Sequence, residues 1–214
     1  MTDPALRGGE RTVRTIAQTA LDNEKYFCDL DAVVGDGDFG YSLARGFGKL
    51  IEDWDQLEYD DVAGLLKRTA MVLSSRVGGA SGPIWGTAFL RAGVALSDKP
   101  TPSRPDVVAA LRAAIEGVKQ RGGSDVGDKT LLDALVPAVD ALERGLEAGE
   151  PAAQALQAAA VTAREAAEAT RPMLAQRGRA AYAGERSRDT VDAGAIAIAV
   201  IFEEVSRAWS PTSV

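Results

Sequence analysis

The stretch VVGDGDFGYSLARGF runs from Val33 to Phe47 and sets three glycines and two aspartates within the six residues from Gly35 to Gly40. The glycine spacing fits G-x-G-x-x-G, the turn of a dinucleotide-binding fold. Its context does not. A helical pattern rather than a strand precedes it, and two aspartates would face a pyrophosphate with no metal to reverse their charge. An EF-hand loop also fails, because counting from Asp36 puts Gly40 fifth and Phe47 where the bidentate glutamate belongs. With Asp31, near the end of the preceding helix, the stretch offers three carboxylates that would repel one another unless a cation sat among them. Compact, oxygen-only ligation suits Mg²⁺ or Ca²⁺. Gly-Asp pairs are equally at home in turns and helix caps, so this stretch alone leaves both readings open.

Working outward, a second loop bears on the choice. VGGASGPIWGTAF, Val77 to Phe89, places Gly78, Gly79, Ala80, Ser81 and Gly82 just before a helix. Free amides at a helix N-terminus, with a serine hydroxyl beside them, suit an anion. A loop that is merely tight would read the same in isolation. Metal-binding carboxylates and an amide cradle together are what a nucleotide's phosphates need.

The scaffold around these loops reads as all-α. SRPDVVAALRAAIEGVKQR carries Val107, Val108, Leu111, Ile115 and Val118 on one stripe, with Ser103 as N-cap, Pro105 in the first turn and Asp106 at the positive end. GDKTLLDALVPAVDALERGL repeats the pattern through Leu131, Leu135, Val139 and Leu142, with Asp128 as the expected cap. Further helices are expected over Arg11–Asp29, Gly40–Asp53, Asp60–Val77 and Ser81–Leu96, in the alanine-rich run after Pro151, and over Ala193–Trp209, about eight in all. The glycines, aspartates, serines and arginines gather in the connections, as in a binding rim on a helical frame. Trp54, Trp85 and Trp209 read as packing residues, Cys28 as a core thiol, and AAQALQAAA as close helix packing.

The 214 residues suit a single domain, with a net charge of −7 and no basic cluster, against nucleic acid or an anionic membrane as partner. MTDPALRGGE has no apolar leader core, and the longest apolar run, AGAIAIAVIF, is too short to span a bilayer, so a cytoplasmic protein is expected. There is no histidine. A Ser-His-Asp triad, a histidine base and the usual zinc sites are therefore excluded.

Four segments, LDAVVGDGDFG, GGASGPIWGTAFLRAG, GDKTLLDALVPA and GRAAYAGERSRDTVDAGA, stand in order between Leu30 and Ala195. As a set they resemble the nucleotide-binding L subunit of dihydroxyacetone kinases. They are less similar to the fatty acid kinases, which share the Gly-Asp-Gly-Asp loop. The resemblance implies one nucleotide-binding domain over residues 1–214, an antiparallel barrel of eight helices with nucleotide held by loops at one end. It implies that Asp31, Asp36 and Asp38 hold two Mg²⁺ ions bridging the phosphates of ATP or ADP. It assigns nucleotide contacts to Phe39, Gly40, Tyr41, Ser42, Ala80, Ser81, Gly122, Leu131, Arg179, Asp192, Ala193 and Gly194, with Thr87 and Thr130 as wall residues. Asp31, Asp36, Asp38, Ser81 and Arg179 are the implied catalytic set; the competing reading of Arg179 is a surface pair with Glu185.

The same resemblance implies a partner. A separate K subunit holds the short ketose through a histidine, which this chain lacks. Whether ADP stays bound and is recharged by a phosphoryl-carrier protein, or ATP exchanges each turnover, is left open by the sequence. A homodimer is compatible with the apolar patterning but not required by it. Two departures stand out: Phe39 replaces the family's histidine after the second loop aspartate, and Asp192-Ala193-Gly194 replaces D-P-G. Two explanations fit them: a kinase serving another short ketose such as a tetrulose, or a nucleotide-binding regulatory or scaffold module that transfers phosphate poorly.

Overall fold

The computed structural model describes residues 3–210; Met1, Thr2 and 211–214 lie outside it, and with them the ends of the expected single-domain span and the start of MTDPALRGGE. Among the described residues there is no strand, and the all-α expectation holds. The helices are α1 (Pro4–Asp22), α2 (Glu24–Asp31), α3 (Phe39–Glu52), α4 (Val62–Arg76), α5 (Ser81–Ala95), α6 (Arg104–Gly122), α7 (Leu132–Glu147), α8 (Ala152–Ala169), α9 (Gly178–Tyr182) and α10 (Ala193–Trp209). They fall into two compact units, Met1–Glu24 with Gly40–Gly123, and Lys25–Phe39 with Ser124–Val214.

In the first unit α4 packs on α5, α5 on α6, and α1 on α4. Small side chains allow the α4, α5 and α6 axes to approach, and Ala63, Ala92, Ala110 and Ala114 close around Leu96. Leu43, Phe47, Leu50, Leu65 and Leu73 are all fully buried. Trp85 and Phe89 meet the Phe47 ring edge-on, at centroid distances of 6.0 and 6.3 Å. Trp85 is thus a packing residue, as expected. The Arg14 guanidinium covers the Trp54 ring at 4.0 Å.

In the second unit α7 packs on α8, and α10 packs on both. The run from Ala195 to Ile201 is buried on every side of α10, the pattern of a helix that forms a core rather than facing water. Ala155, Ala159, Ala160, Ala163 and Ala167 line the buried face of α8, so the alanine run packs helices closely, as read from the sequence. No helix among the described residues is long and apolar enough to cross a membrane.

Helix ends follow side-chain chemistry. Ser103 and Asp106 form the capping box of α6. Asp61 caps α4 by accepting from Gly64 N at 2.6 Å, and Asp3 caps α1, with Pro4 in its first turn. Three expectations need correction. The first helix starts at Pro4, not Arg11, and breaks at Asn23, where Thr19 O accepts from both the backbone N–H and the side-chain amide of Asn23, at 3.2 and 2.9 Å. Asp128 does not cap α7; its carboxylate accepts from Asp125 N, and the helix begins later, at Leu132. On α6, Val107 is exposed, while Ala110, Ala114 and Gly117 share the buried stripe with Val108, Ile115 and Val118.

Candidate functional site

The glycines of the opening stretch have separate physical reasons. α2 ends at Asp31, and the chain then winds round that residue: Gly35 N donates to Asp31 O at 2.6 Å and Gly37 N to Asp31 Oδ2 at 2.9 Å. A Cβ on Gly35 would lie 2.2 Å from Asp31 Oδ1, so no side chain fits there. Gly37 has a φ of +76°, the left-handed region that glycine enters without penalty. The loop must be this tight to return Asp36 and Asp38 to Asp31.

It does return them. One carboxylate oxygen from each of Asp31, Asp36 and Asp38 lies within 4.8 Å of the others. Asp31 is half-buried, while Asp36 and Asp38 are exposed. Desolvation first, then the neighbouring Asp36 carboxylate, raises the Asp38 pKa above its ordinary value, and Arg179 partly offsets this. Three hard oxygen donors in mutual repulsion fit a small divalent cation.

Arg179 stands on α9, in the excursion between α8 and α10. Its Nη1 lies 2.5 Å from Asp36 Oδ2. The pairing with Glu185 does not occur; Arg188 takes Glu185 instead, at 2.6 Å.

Beside Arg179, the second unit gathers another group of the expected residues at the start of α10. Asp192 caps that helix, accepting from Ala195 N at 2.7 Å. A Cβ on Gly194 would meet Asp192 Oδ2 at 3.0 Å and Leu131 Cβ at 3.2 Å, so Leu131, Asp192 and Gly194 are close neighbours, with Ala193 between the last two. Asp192 is half-buried by area, yet its carboxyl is packed densely enough that loss of water pushes its pKa up to about 7. Thr130 Oγ1 accepts from Leu132 N at 3.2 Å, which gives it a part in starting α7.

In the first unit, Ala80 and Ser81 stand at the start of α5 with no side chain capping it. Ser42, buried on α3, lies next to Gly78 of the same loop, where an added Cβ would meet its Oγ at 2.9 Å. Gly40 is buried and Tyr41 exposed. Gly122 is the last residue of α6. Thr87 lines a shallow cleft with Arg91, Gly117, Gln120 and Arg121. Phe39 opens α3, and its ring packs on the fully buried Phe27 at 6.1 Å. An apolar anchor thus occupies the position where the resemblance led us to expect a histidine.

Sequence reasoning missed Lys129. It lies within GDKTLLDAL, has a left-handed φ of +60°, and is only 2% exposed. Its Nζ donates to the carbonyls of Met173 at 3.0 Å and Thr190 at 2.8 Å, and to that of Ser187. It sits between Asp128 and Thr130 in the polar stretch before α7, where a lysine reads as facing water.

A DAK2 domain model matches residues 33–207. The chain belongs to the DAK2-domain family. This DAK2 chain is 38% identical over 184 residues to the ADP-binding subunit DhaL of the PEP-dependent dihydroxyacetone kinase of Escherichia coli, covering 86% of itself and 88% of that protein. It is 37% identical over 199 residues to the L-erythrulose 1-kinase of Mycolicibacterium smegmatis, covering 89% of itself and 34% of that protein. Among solved structures, the dihydroxyacetone kinase of C. freundii in complex with AMP-PNP and Mg²⁺ matches with a TM-score of 0.74 and 28% identity, over 96% of the DAK2 chain and 34% of the other. The chain thus spans nearly the whole of the first relative and about a third of the other two. It belongs with the DhaL subunits of dihydroxyacetone kinases.

Proposed function

We propose that this chain is the phosphoryl-donor subunit of a short-ketose kinase. It would bind Mg-nucleotide and pass phosphate to a ketose held by a separate K subunit, as one domain spanning the chain. The observation that carries the reading is the convergence of Asp31, Asp36 and Asp38 within 4.8 Å, with Arg179 on Asp36. The ADP-binding role of the DhaL relatives and the AMP-PNP and Mg²⁺ in the C. freundii complex support it.

Phosphoryl transfer asks the protein for positioning and charge neutralisation more than for covalent chemistry, so a chain without histidine can serve it. Asp31, Asp36 and Asp38 would hold two Mg²⁺ ions, which supply charge neutralisation at the phosphates when bound. Ser81 and the amides opening α5 would donate to phosphate oxygens. Arg179, which pairs with Asp36, would supply a positive charge for the transferring group. Phe39, Gly40, Tyr41, Ser42 and Ala80 would serve as phosphate contacts, and Gly122, Leu131, Asp192, Ala193 and Gly194 as further nucleotide contacts. Thr87 and Thr130 keep a place in its wall.

The ketose belongs to the K subunit. Matches to erythrulose kinases as well as dihydroxyacetone kinases favour a three- or four-carbon ketose. The PEP-dependent relatives favour ADP retained and recharged by a phosphoryl-carrier protein. One observation favours a second reading: the Phe39 ring, anchored on Phe27, offers no polar group beside the aspartates. On that reading the chain binds nucleotide and regulates or scaffolds without efficient transfer.

The test mixes the purified chain with a K subunit of a dihydroxyacetone or erythrulose kinase, its ketose, Mg²⁺ and ATP. Ketose phosphate formed only when both subunits are present supports the kinase. Nucleotide binding without product from any K subunit would leave the regulatory reading.

A further inference from the structure

The segment 171–191 leaves the end of α8, carries α9, and returns to the start of α10 as an arm whose two roots are tied together. At one root Asp189 N donates to Arg171 O at 3.0 Å, and Asp192 N donates to the Thr170 hydroxyl at 2.9 Å. Inside the arm the Ser187 hydroxyl accepts from Ala175 N at 3.0 Å and donates to Gly184 O at 2.7 Å. Gln176 N reaches Asp128 O at 3.0 Å. Under this arm lies Lys129. Its acceptors are Met173 O on the outgoing strand of the arm and Ser187 O and Thr190 O on the returning one.

An ammonium has three protons to donate, and here three carbonyls take them. The buried charge is thus spent mainly on the carbonyls of the arm, with the Thr190 hydroxyl of the same arm 3.5 Å away. Burial lowers the Lys129 pKa, and Asp192 opposes that. The arm's outer end carries Arg179, whose guanidinium meets Asp36 of the aspartate loop.

We propose that Lys129 is a positioning residue, whose ammonium clamps both roots of the arm and thereby holds Arg179 at the aspartate loop. The proposal rests on the nucleotide-site reading given above for its effect on binding, but not for the clamp itself.

Two measurements test it, on Lys129→Met and on Lys129→Gln, which keeps two donors and serves if the first does not fold. Hydrogen exchange of the ligand-free chain should speed up at the amides of Ala175, Gln176 and Asp189, with α4 and α5 unchanged. Mg-ADP affinity should fall about 10- to 100-fold, the range in which supports behind a metal site act. In an Arg179→Ala background the same substitution should cost no further affinity, since the arm then has no cation to hold. Unchanged exchange in the arm would overturn the clamp. An equal affinity loss with and without Arg179 would overturn its action through that residue and leave a merely structural lysine. If the wild-type chain binds no Mg-ADP, the nucleotide reading fails, and the exchange result alone decides the clamp.

Discussion

Two charged clusters in the same unit are built in opposite ways. Around Lys129 one buried cation meets three carbonyls, and every proton has an acceptor. Around Asp31 three carboxylates face one another, two of them exposed, with the exposed Arg179 paired to Asp36. The first arrangement leaves no polar need unmet and acts through the main chain that it holds. The second keeps unbalanced negative charge in place through a glycine-shaped loop, so its balance has to come from outside. That contrast separates a charge that builds the fold from charges that the fold holds ready.

The sharpest way to break the comparison is to remove one charge from each cluster. Asp38→Asn should abolish Mg-dependent nucleotide binding in a titration while leaving the melting temperature unchanged or slightly raised, because it relieves repulsion. Lys129→Met should act first on the fold, lowering stability by about 3 kcal/mol in denaturant unfolding, because it strands buried carbonyls. For scale, Ile196→Ala, in the core of α10, should cost about 2–5 kcal/mol by the same measurement and leave the aspartate loop intact.

Asp192 sharpens the comparison through pH. Its pKa rises from 3.8 to about 7 on folding, so the folded chain holds a proton across that window that the unfolded chain has released. Stability from this group is therefore present at low pH and lost as pH rises through about 7. Asp192→Asn keeps a cap acceptor for α10 and cannot ionise. The melting temperature of the wild type relative to this variant should accordingly fall from pH 5 to pH 8. The smallest effect belongs to an exposed pair: Arg188→Ala, breaking its contact with Glu185, should change unfolding free energy by less than about 1 kcal/mol.

Much of this was legible in the sequence, and the reason differs by residue. Helices such as α6 and α10 could be read because apolar periodicity and caps such as Ser103 are local signals. Asp31, Asp36 and Asp38 could be grouped because only a few residues separate them. The break at Asn23 was missed because it rests on a single capping residue, whose side chain and backbone both end on Thr19 O, inside an otherwise continuous pattern. Lys129 was missed because its partners lie 44 to 61 residues downstream, and nothing near it in sequence announces them. Arg179 was identified through family resemblance, but its partner was not, since Glu185 is near in sequence and Asp36 is near only in space.

The most direct test of the central claim is calorimetric titration of the purified chain with ATP and with ADP, with and without Mg²⁺, repeated on Asp36→Ala. The account predicts heat that appears only with Mg²⁺ and disappears in the variant. A well-folded chain that binds no nucleotide under any of these conditions, or binds it equally well without Asp36, would contradict it.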